Sequence, residues 1–249
     1  MRKTALITGV LVAVMVMLAA AGSVCSAVWQ MATCEDFYNG MSRDAVAQYL
    51  NIQNDPQADQ KVTEYIGLTS EKQEFFAAIA REYMLGEDQS VDLPVYVSLD
   101  EVRHMLDVRG LIWRTRDVGK MCMTLAAVLA MAIAWTGAGL RRRLPPRLAG
   151  HLGAFALMGA LAGGLYRAVQ GGAFERLFIR MHELLFTNDL WKMDPQKHIL
   201  IRIMPQPLFE RAFFICAKQA LQIFLCTWVM LVMIDWVVSG MIRRHMKTD

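Results

Sequence analysis

Four long apolar runs set the limits on what this chain can fold into. The hydrocarbon core of a bilayer is ~30 Å thick, so a helix that crosses it needs roughly 20 apolar residues. Runs of that length fall at about 4–29, 118–140, 148–169 and 214–239. Inside lipid no water satisfies backbone N–H and C=O groups, and an apolar run of this length meets that demand as a helix. Of the 249 residues 55% are hydrophobic, too many for an ordinary soluble domain. The sequence therefore predicts a polytopic α-helical membrane protein with four transmembrane helices.

Lys and Arg accumulate on the cytoplasmic side of spans. Arg2 and Lys3 precede the first run, Arg141, Arg142, Arg143 and Arg147 fill the second connection, and Arg243, Arg244 and Lys247 follow the fourth run. With four spans these clusters share one side, so both termini and the Arg-rich loop are expected in the cytoplasm. The expected organisation starts with the N-terminus and first helix over 1–29, an extracytoplasmic domain over 30–117 and the second helix over 118–140. A basic loop over 141–147, the third helix over 148–169, an extracytoplasmic amphipathic segment over 170–213, the fourth helix over 214–239 and a basic tail over 240–249 follow. Residues 28–117 carry roughly twice as many Asp and Glu as Lys and Arg. The net charge of +3 thus conceals a split between an acidic and a basic side, and implies no nucleic-acid partner. Met1-Arg2-Lys3 before an apolar run also fits a signal peptide, with small residues at Ser23-Val24-Cys25-Ser26-Ala27. The run is longer than that class usually shows, which favours a retained helix.

The five cysteines offer no Cys-x-x-Cys pair and no disulfide framework, so buried, unreactive thiols are expected. In the first long connection, Ser42 to Leu50 reads as a short helix with Ser42 as its N-cap. Ser70-Glu71-Lys72-Gln73 reads as the start of a helix that ends at Gly86, and Asn54-Asp55-Pro56 as a turn. Val62-Thr63 and Tyr96-Val97 read as short strands, giving a mixed α/β extracytoplasmic domain between the first and second spans. A further helix is expected from Ser98 or Asp100, leading into the second span.

In the third span Gly159 and Gly163 form a small-xxx-small pair that suits close helix packing within the bundle. Gly171-Gly172 breaks the helix. Phe174, Leu177, Phe178, Met181, Leu184 and Leu185 then repeat at helical spacing, the pattern of an amphipathic helix at the outer interface, with His182 at the border of its two faces. Trp191 is an interfacial anchor. Lys218 and Asp235 lie near the two ends of the last span, where both can reach water, and no span shows an intramembrane ion pair that would suggest transport.

His104 and His182 each lie just outside a span, in regions predicted to share the extracytoplasmic side. On a helix from Asp100, His104 has Asp100 four residues before it and Asp107 three after, so either carboxylate could orient the ring. An exposed histidine on an acidic helix is the plainer alternative. His182-Glu183-Leu184-Leu185-Phe186 is not a zinc-protease helix, because Phe186 stands where the second ligand must be. A zinc ion held by His104, His182 and Glu183 or His198 stays open. No Gly-x-Ser-x-Gly elbow supports a serine enzyme.

The four-span layout, the Glu-x-x-His-Met-x-Asp-Val stretch at Glu101 to Val108, and His182-x-x-x-Phe186-x-x-x-x-Trp191 followed by Asp194-Pro195 and Ile199-Leu200-Ile201 through Pro205 resemble the bacterial lipoprotein intramolecular transacylase family of integral membrane proteins. The resemblance covers spans two to four well and the acidic domain in outline. Lys197-His198 and Gln206 depart from the acidic residues expected there. The resemblance implies an acyltransferase of the bacterial cell membrane. It would move the sn-2 acyl chain of a diacylglyceryl lipoprotein to the α-amine of its N-terminal cysteine, leaving a lyso-form lipoprotein. It also implies that His104 and His182 are the catalytic pair.

Such chemistry suits the residues. Amine and ester sit on one substrate molecule, so proximity lowers the barrier by up to about 7–11 kcal/mol in ideal cases. An α-amine must lose a proton and the glyceryl oxygen must gain one, which two histidines can manage as base and acid. Asn188, Arg109, Trp191 or a backbone amide are candidate donors to the oxyanion, and Asp107 and these three side chains are the expected substrate contacts. An apolar groove between the spans would hold the acyl chains. No cofactor or metal is required, and the expected partners are diacylglyceryl lipoproteins and membrane lipid, with the chain a monomer. The rival readings are a non-enzymatic receptor or accessory protein using its acidic domain, and a zinc-dependent membrane hydrolase.

Overall fold

The computed structural model describes residues 2–86, 94–138 and 144–245. Arg141, Arg142 and Arg143 of the basic loop and Lys247 of the tail lie outside the described residues. The elements run α1 (Arg2–Thr33), α2 (Glu35–Tyr38), α3 (Gly40–Tyr49), α4 (Ala58–Ile66), α5 (Ser70–Leu85), α6 (Leu99–Ala138) and α7 (Leu144–Ala168). A π-helical turn (Val169–Ala173), α8 (Phe174–Leu185), α9 (Ile199–Ile203) and α10 (Gln206–His245) complete them. Four helical stretches each contain a run long and apolar enough to cross a membrane: Leu6–Thr33, Leu99–Trp135, Arg147–Leu185 and Gln206–Val238.

Among the described residues there is no β-strand, so the expected mixed α/β domain is wrong: the segment between the first two spans is helical. Val62 and Thr63 lie in α4, where Val62 and Ile66, one helical turn apart, are both buried. That spacing outweighs the β-preference of two residues. Tyr96-Val97 is a turn in which Val97 N–H bonds the Pro94 carbonyl at 2.9 Å. Helix starts also move. Ser42 lies inside α3, its hydroxyl on the Ile203 carbonyl, and Thr69 rather than Ser70 caps α5, accepting from Lys72 N–H at 3.4 Å.

The chain divides into two compact units: Met1–Ala27, Thr115–Gly171 and Ala217–Asp249 form one, and Val28–Arg114 with Gly172–Cys216 the other. The first unit is built on small side chains. Ala19, Ala126 and Ala130 are buried with Val12, Val16, Ile133 and Phe224. Gly22, Gly119 and Gly150 are the points of close helix approach; a methyl on Gly119 would meet Cys25 Cβ at 2.8 Å. Gly159 and Gly163 meet nothing within 4 Å among the described residues, so the expected packing pair is not the packing face. Leu148, Leu152, Leu157 and Leu161 of α7 are exposed, as residues facing lipid would be. Asp235 does not simply reach for water: it pairs with Arg147 at 2.6 Å, and Arg147 also donates to the Ile133 carbonyl at 3.1 Å. The spans therefore do contain an ion pair, which ties α7 to α10.

The second unit has a larger core around Val62, Ile66, Phe76, Tyr83, Met105 and Leu200. Arg81 donates to the Thr33 carbonyl at 3.1 Å and Tyr38 O–H to the Ala32 carbonyl at 3.0 Å, closing the backbone groups left open where α1 ends.

Candidate active site

The site is built on the first turns of α6. At 40 residues this helix is about 60 Å long, twice what a bilayer core needs. Its opening section carries Asp100, Glu101, Arg103, His104, Asp107 and Arg109 and so lies outside the apolar stretch. Ser98 and Glu101 form a reciprocal capping box: Glu101 N–H bonds Ser98 Oγ at 3.3 Å, and Glu101 Oε2 accepts from Ser98 N–H at 2.8 Å. This fixes the start of α6, one turn ahead of His104. His182 comes from α8, which follows the break at Gly172 (φ +75°). Its helix is strongly amphipathic, with Leu184 85% exposed and His182 only 7% exposed. His182 is thus turned inward, not held at a border.

Both histidines line a cavity of about 310 Å³ within the second unit. Its walls are otherwise almost wholly apolar, including Met31, Met105, Ile112, Phe178, Leu185 and Leu200. The imidazole rings lie 6.2 Å apart, centroid to centroid, inclined by 28°. Phe186 packs against both, at 5.2 Å from His104 and 5.5 Å from His182. Phe178 and Trp191 also flank His182, at 4.2 and 5.0 Å.

Hydrogen bonds distinguish the two rings. His182 Nδ1 is 2.7 Å from the Phe178 carbonyl, which can only accept, so Nδ1 carries the proton and Nε2 keeps its lone pair. His104 Nδ1 is buried with no hydrogen-bond partner. Neither flanking carboxylate holds that ring: Asp100 pairs with Arg103 at 3.6 Å, and Asp107 accepts from Asn188 at 2.8 Å. Burial, with His182 close by, pushes the His104 imidazole down to about 4, against an upward pull from Asp107. Burial also lowers His182, opposed by its bond to the Phe178 carbonyl. Both rings are neutral bases at neutral pH.

Of the other sequence-predicted contacts, Trp191 lines the cavity. Asn188 and Asp107 bond one another at an exposed position and do not line it. Arg109 is buried elsewhere, its guanidinium 5.6 Å from the Tyr83 ring and donating to the Gly86 carbonyl. His198 is engaged with Asp194 N–H at 3.0 Å. Among the described residues, no three His, Cys, Asp or Glu side chains gather closely enough to hold a metal ion. Glu101, which the motifs carried only as a neighbour of His104, has both oxygens engaged, and the Ser-x-x-Glu box was its readable signal.

Residues 43–209, well over half the chain, match the family described as lipoprotein intramolecular transacylase Lit. No curated protein matches the sequence. Among solved structures, the membrane integral lipoprotein intramolecular transacylase Lit from Bacillus cereus is similar, at 17% identity and a TM-score of 0.65, over 92% of this chain and 95% of that one. A form of the same protein with one histidine replaced by arginine matches at 15% identity and a TM-score of 0.60, over 94% and 96% of the two chains. By its sequence match, and with a fold these structures share, the chain belongs to the Lit family of lipoprotein intramolecular transacylases, membrane-integral acyltransferases.

Proposed function

We propose that His104 and His182 together run the acyl transfer of this family: the sn-2 acyl chain of a diacylglyceryl lipoprotein passes to the α-amine of the same molecule's N-terminal cysteine. The observation that carries this reading is the meeting of two neutral histidines, 78 positions apart in sequence, in one apolar cavity. The amine attacks the ester carbonyl, the N–C bond forms, the C–O bond to glycerol breaks, and one proton moves from nitrogen to the glyceryl oxygen. His182 is the base, since its Nδ1–H is held by Phe178 and Nε2 is left to accept. His104 faces the leaving oxygen as the acid. The proton that His182 takes from nitrogen is relayed to His104, which gives it to that oxygen as the C–O bond breaks, so both rings return to neutral at each turnover and no acyl-enzyme is needed. Trp191 is the favoured oxyanion donor of the three side chains considered, because it lines the cavity beside His182 while Asn188 and Arg109 do not.

The apolar walls suit an acyl chain and exclude the water that would divert the ester to hydrolysis. The three basic clusters support cytoplasmic termini and an extracytoplasmic site at the outer leaflet. The reading is tested by incubating the purified protein with a synthetic diacylglyceryl lipopeptide and locating the acyl chain by tandem mass spectrometry. The expected product has the substrate's mass with the chain on the cysteine nitrogen, and a lipopeptide with an acetylated amine is not converted. Release of free fatty acid instead would identify a hydrolase.

A further inference from the structure

Glu101 has 0% of its surface exposed, the deepest of the charged side chains among the described residues. Burying a carboxylate is costly unless hydrogen bonds replace its water. Here they do, from two distant parts of the chain. Oε2 takes Ser98 N–H at 2.8 Å, and Oε1 takes Leu200 N–H at 2.7 Å, 99 residues away. The first bond is enough to start α6. The second is not needed for that purpose. Leu200 N–H is one of the open donors at the start of α9, whose own N-cap, His198, gives no side-chain bond. One carboxylate therefore joins the turn of α6 that carries His104 to α9, and Leu200 and Ile201 of α9 are cavity wall.

The geometry points to Glu101 as a positioning residue for the acyl transfer. It sets the α9 wall against His104 and so holds the bound ester in register with that ring. The inference rests on the reading that His104 acts at this cavity. Glu101 does not touch the cavity and acts only through the two elements it joins.

Glu101→Gln keeps the shape but offers one acceptor where two N–H groups point, so one of the two bonds is lost. Ser98→Ala leaves both Glu101 bonds in place and removes only the return half of the capping box. A misplacement of about 1 Å costs on the order of 10²-fold in rate, so kcat of E101Q is expected to fall ~10- to 100-fold with KM within about twofold of wild type. S98A should keep its kcat while melting earlier. A folded E101Q with wild-type kcat overturns the inference, as does an equal loss of kcat in both variants, which would make Glu101 a helix cap only. Should E101Q fail to fold, Glu101→Asp decides, because the shorter side chain keeps the charge but cannot reach Leu200. A lowered kcat at unchanged KM supports the inference, and a wild-type kcat overturns it. If neither acid variant folds while S98A does, Glu101 serves stability alone and the inference is wrong. His104→Ala and His182→Ala are assayed alongside: full activity in either folded variant sinks the two-histidine reading whatever Glu101 does.

Discussion

The two imidazoles differ in what holds them, and that difference has a pH signature. An ordinary histidine takes up a proton near pH 6.5. His104, pushed down to about 4, stays neutral well below that, and His182 is lowered in the same direction. Protonation of His104 therefore does not limit the rate between pH 6 and 8, and that of His182 is displaced below the ordinary histidine range. The substrate limits it, because its α-amine, with a pKa near 7.7–8.0, must be neutral to attack. Under this account kcat/KM rises about tenfold per pH unit up to roughly 8 and then levels, whereas an inflection near 6.5 would show that a solvated histidine is the titrating base. Asp107 is the carboxylate that pulls His104 upward. Asp107→Asn should lower the His104 titration further, seen by NMR of its ring protons, and leave the cavity intact. At Trp191 the indole ring and its N–H can be separated. Trp191→Phe keeps an aromatic wall beside His182, so a loss of kcat of about 10²-fold or more would fit loss of an oxyanion donor, and an unchanged kcat would leave Trp191 as packing.

At the scale of elements, the first unit relies on close backbone approach and on one ion pair. An added methyl at Gly150 would run into the Gly9 carbonyl and lie 3.0 Å from Val12 Cβ, neither of which can swing away as a long side chain does. Gly150→Ala is expected to destabilise the protein by about 1–3 kcal/mol, read as a lowered melting temperature in detergent, while Gly159→Ala and Gly163→Ala leave it unchanged. The small-xxx-small pattern shows that a helix can be approached; it does not say which glycines are. Arg147 and Asp235 make the same point about charges. Each is near a span end, where reaching water is the default, and only the packing of α7 on α10 turns them into a pair. Asp235→Ala is expected to cost about 1 kcal/mol, in the range of polar contacts inside membrane bundles.

At the scale of the whole molecule, the four spans were legible because length and apolarity alone dictate them. The two histidines were legible because each sits in a dense polar motif at the edge of a span. The family was legible from the segment around His182 to Trp191. The helical nature of residues 35–85 was less so, since short runs such as Val62-Thr63 carry β-preference that a buried helical face overrides. The cavity was not legible at all. It draws Met31 from α1, Tyr38 from α2, His104 from α6, His182 from α8 and Leu200 from α9, and no local pattern announces that these converge. The same holds for Glu101, whose capping role is written in Ser98-x-x-Glu101 but whose bond to Leu200 spans 99 residues.

The central claim is that one pair of neutral histidines performs the transfer. Mass spectrometry of a diacylglyceryl lipoprotein before and after incubation with wild type, His104→Ala and His182→Ala tests it most directly. The account predicts conversion by wild type to an isobaric form acylated on its cysteine nitrogen, with each variant folded but slower by about 10²- to 10⁴-fold. Wild-type conversion by either folded variant would contradict it.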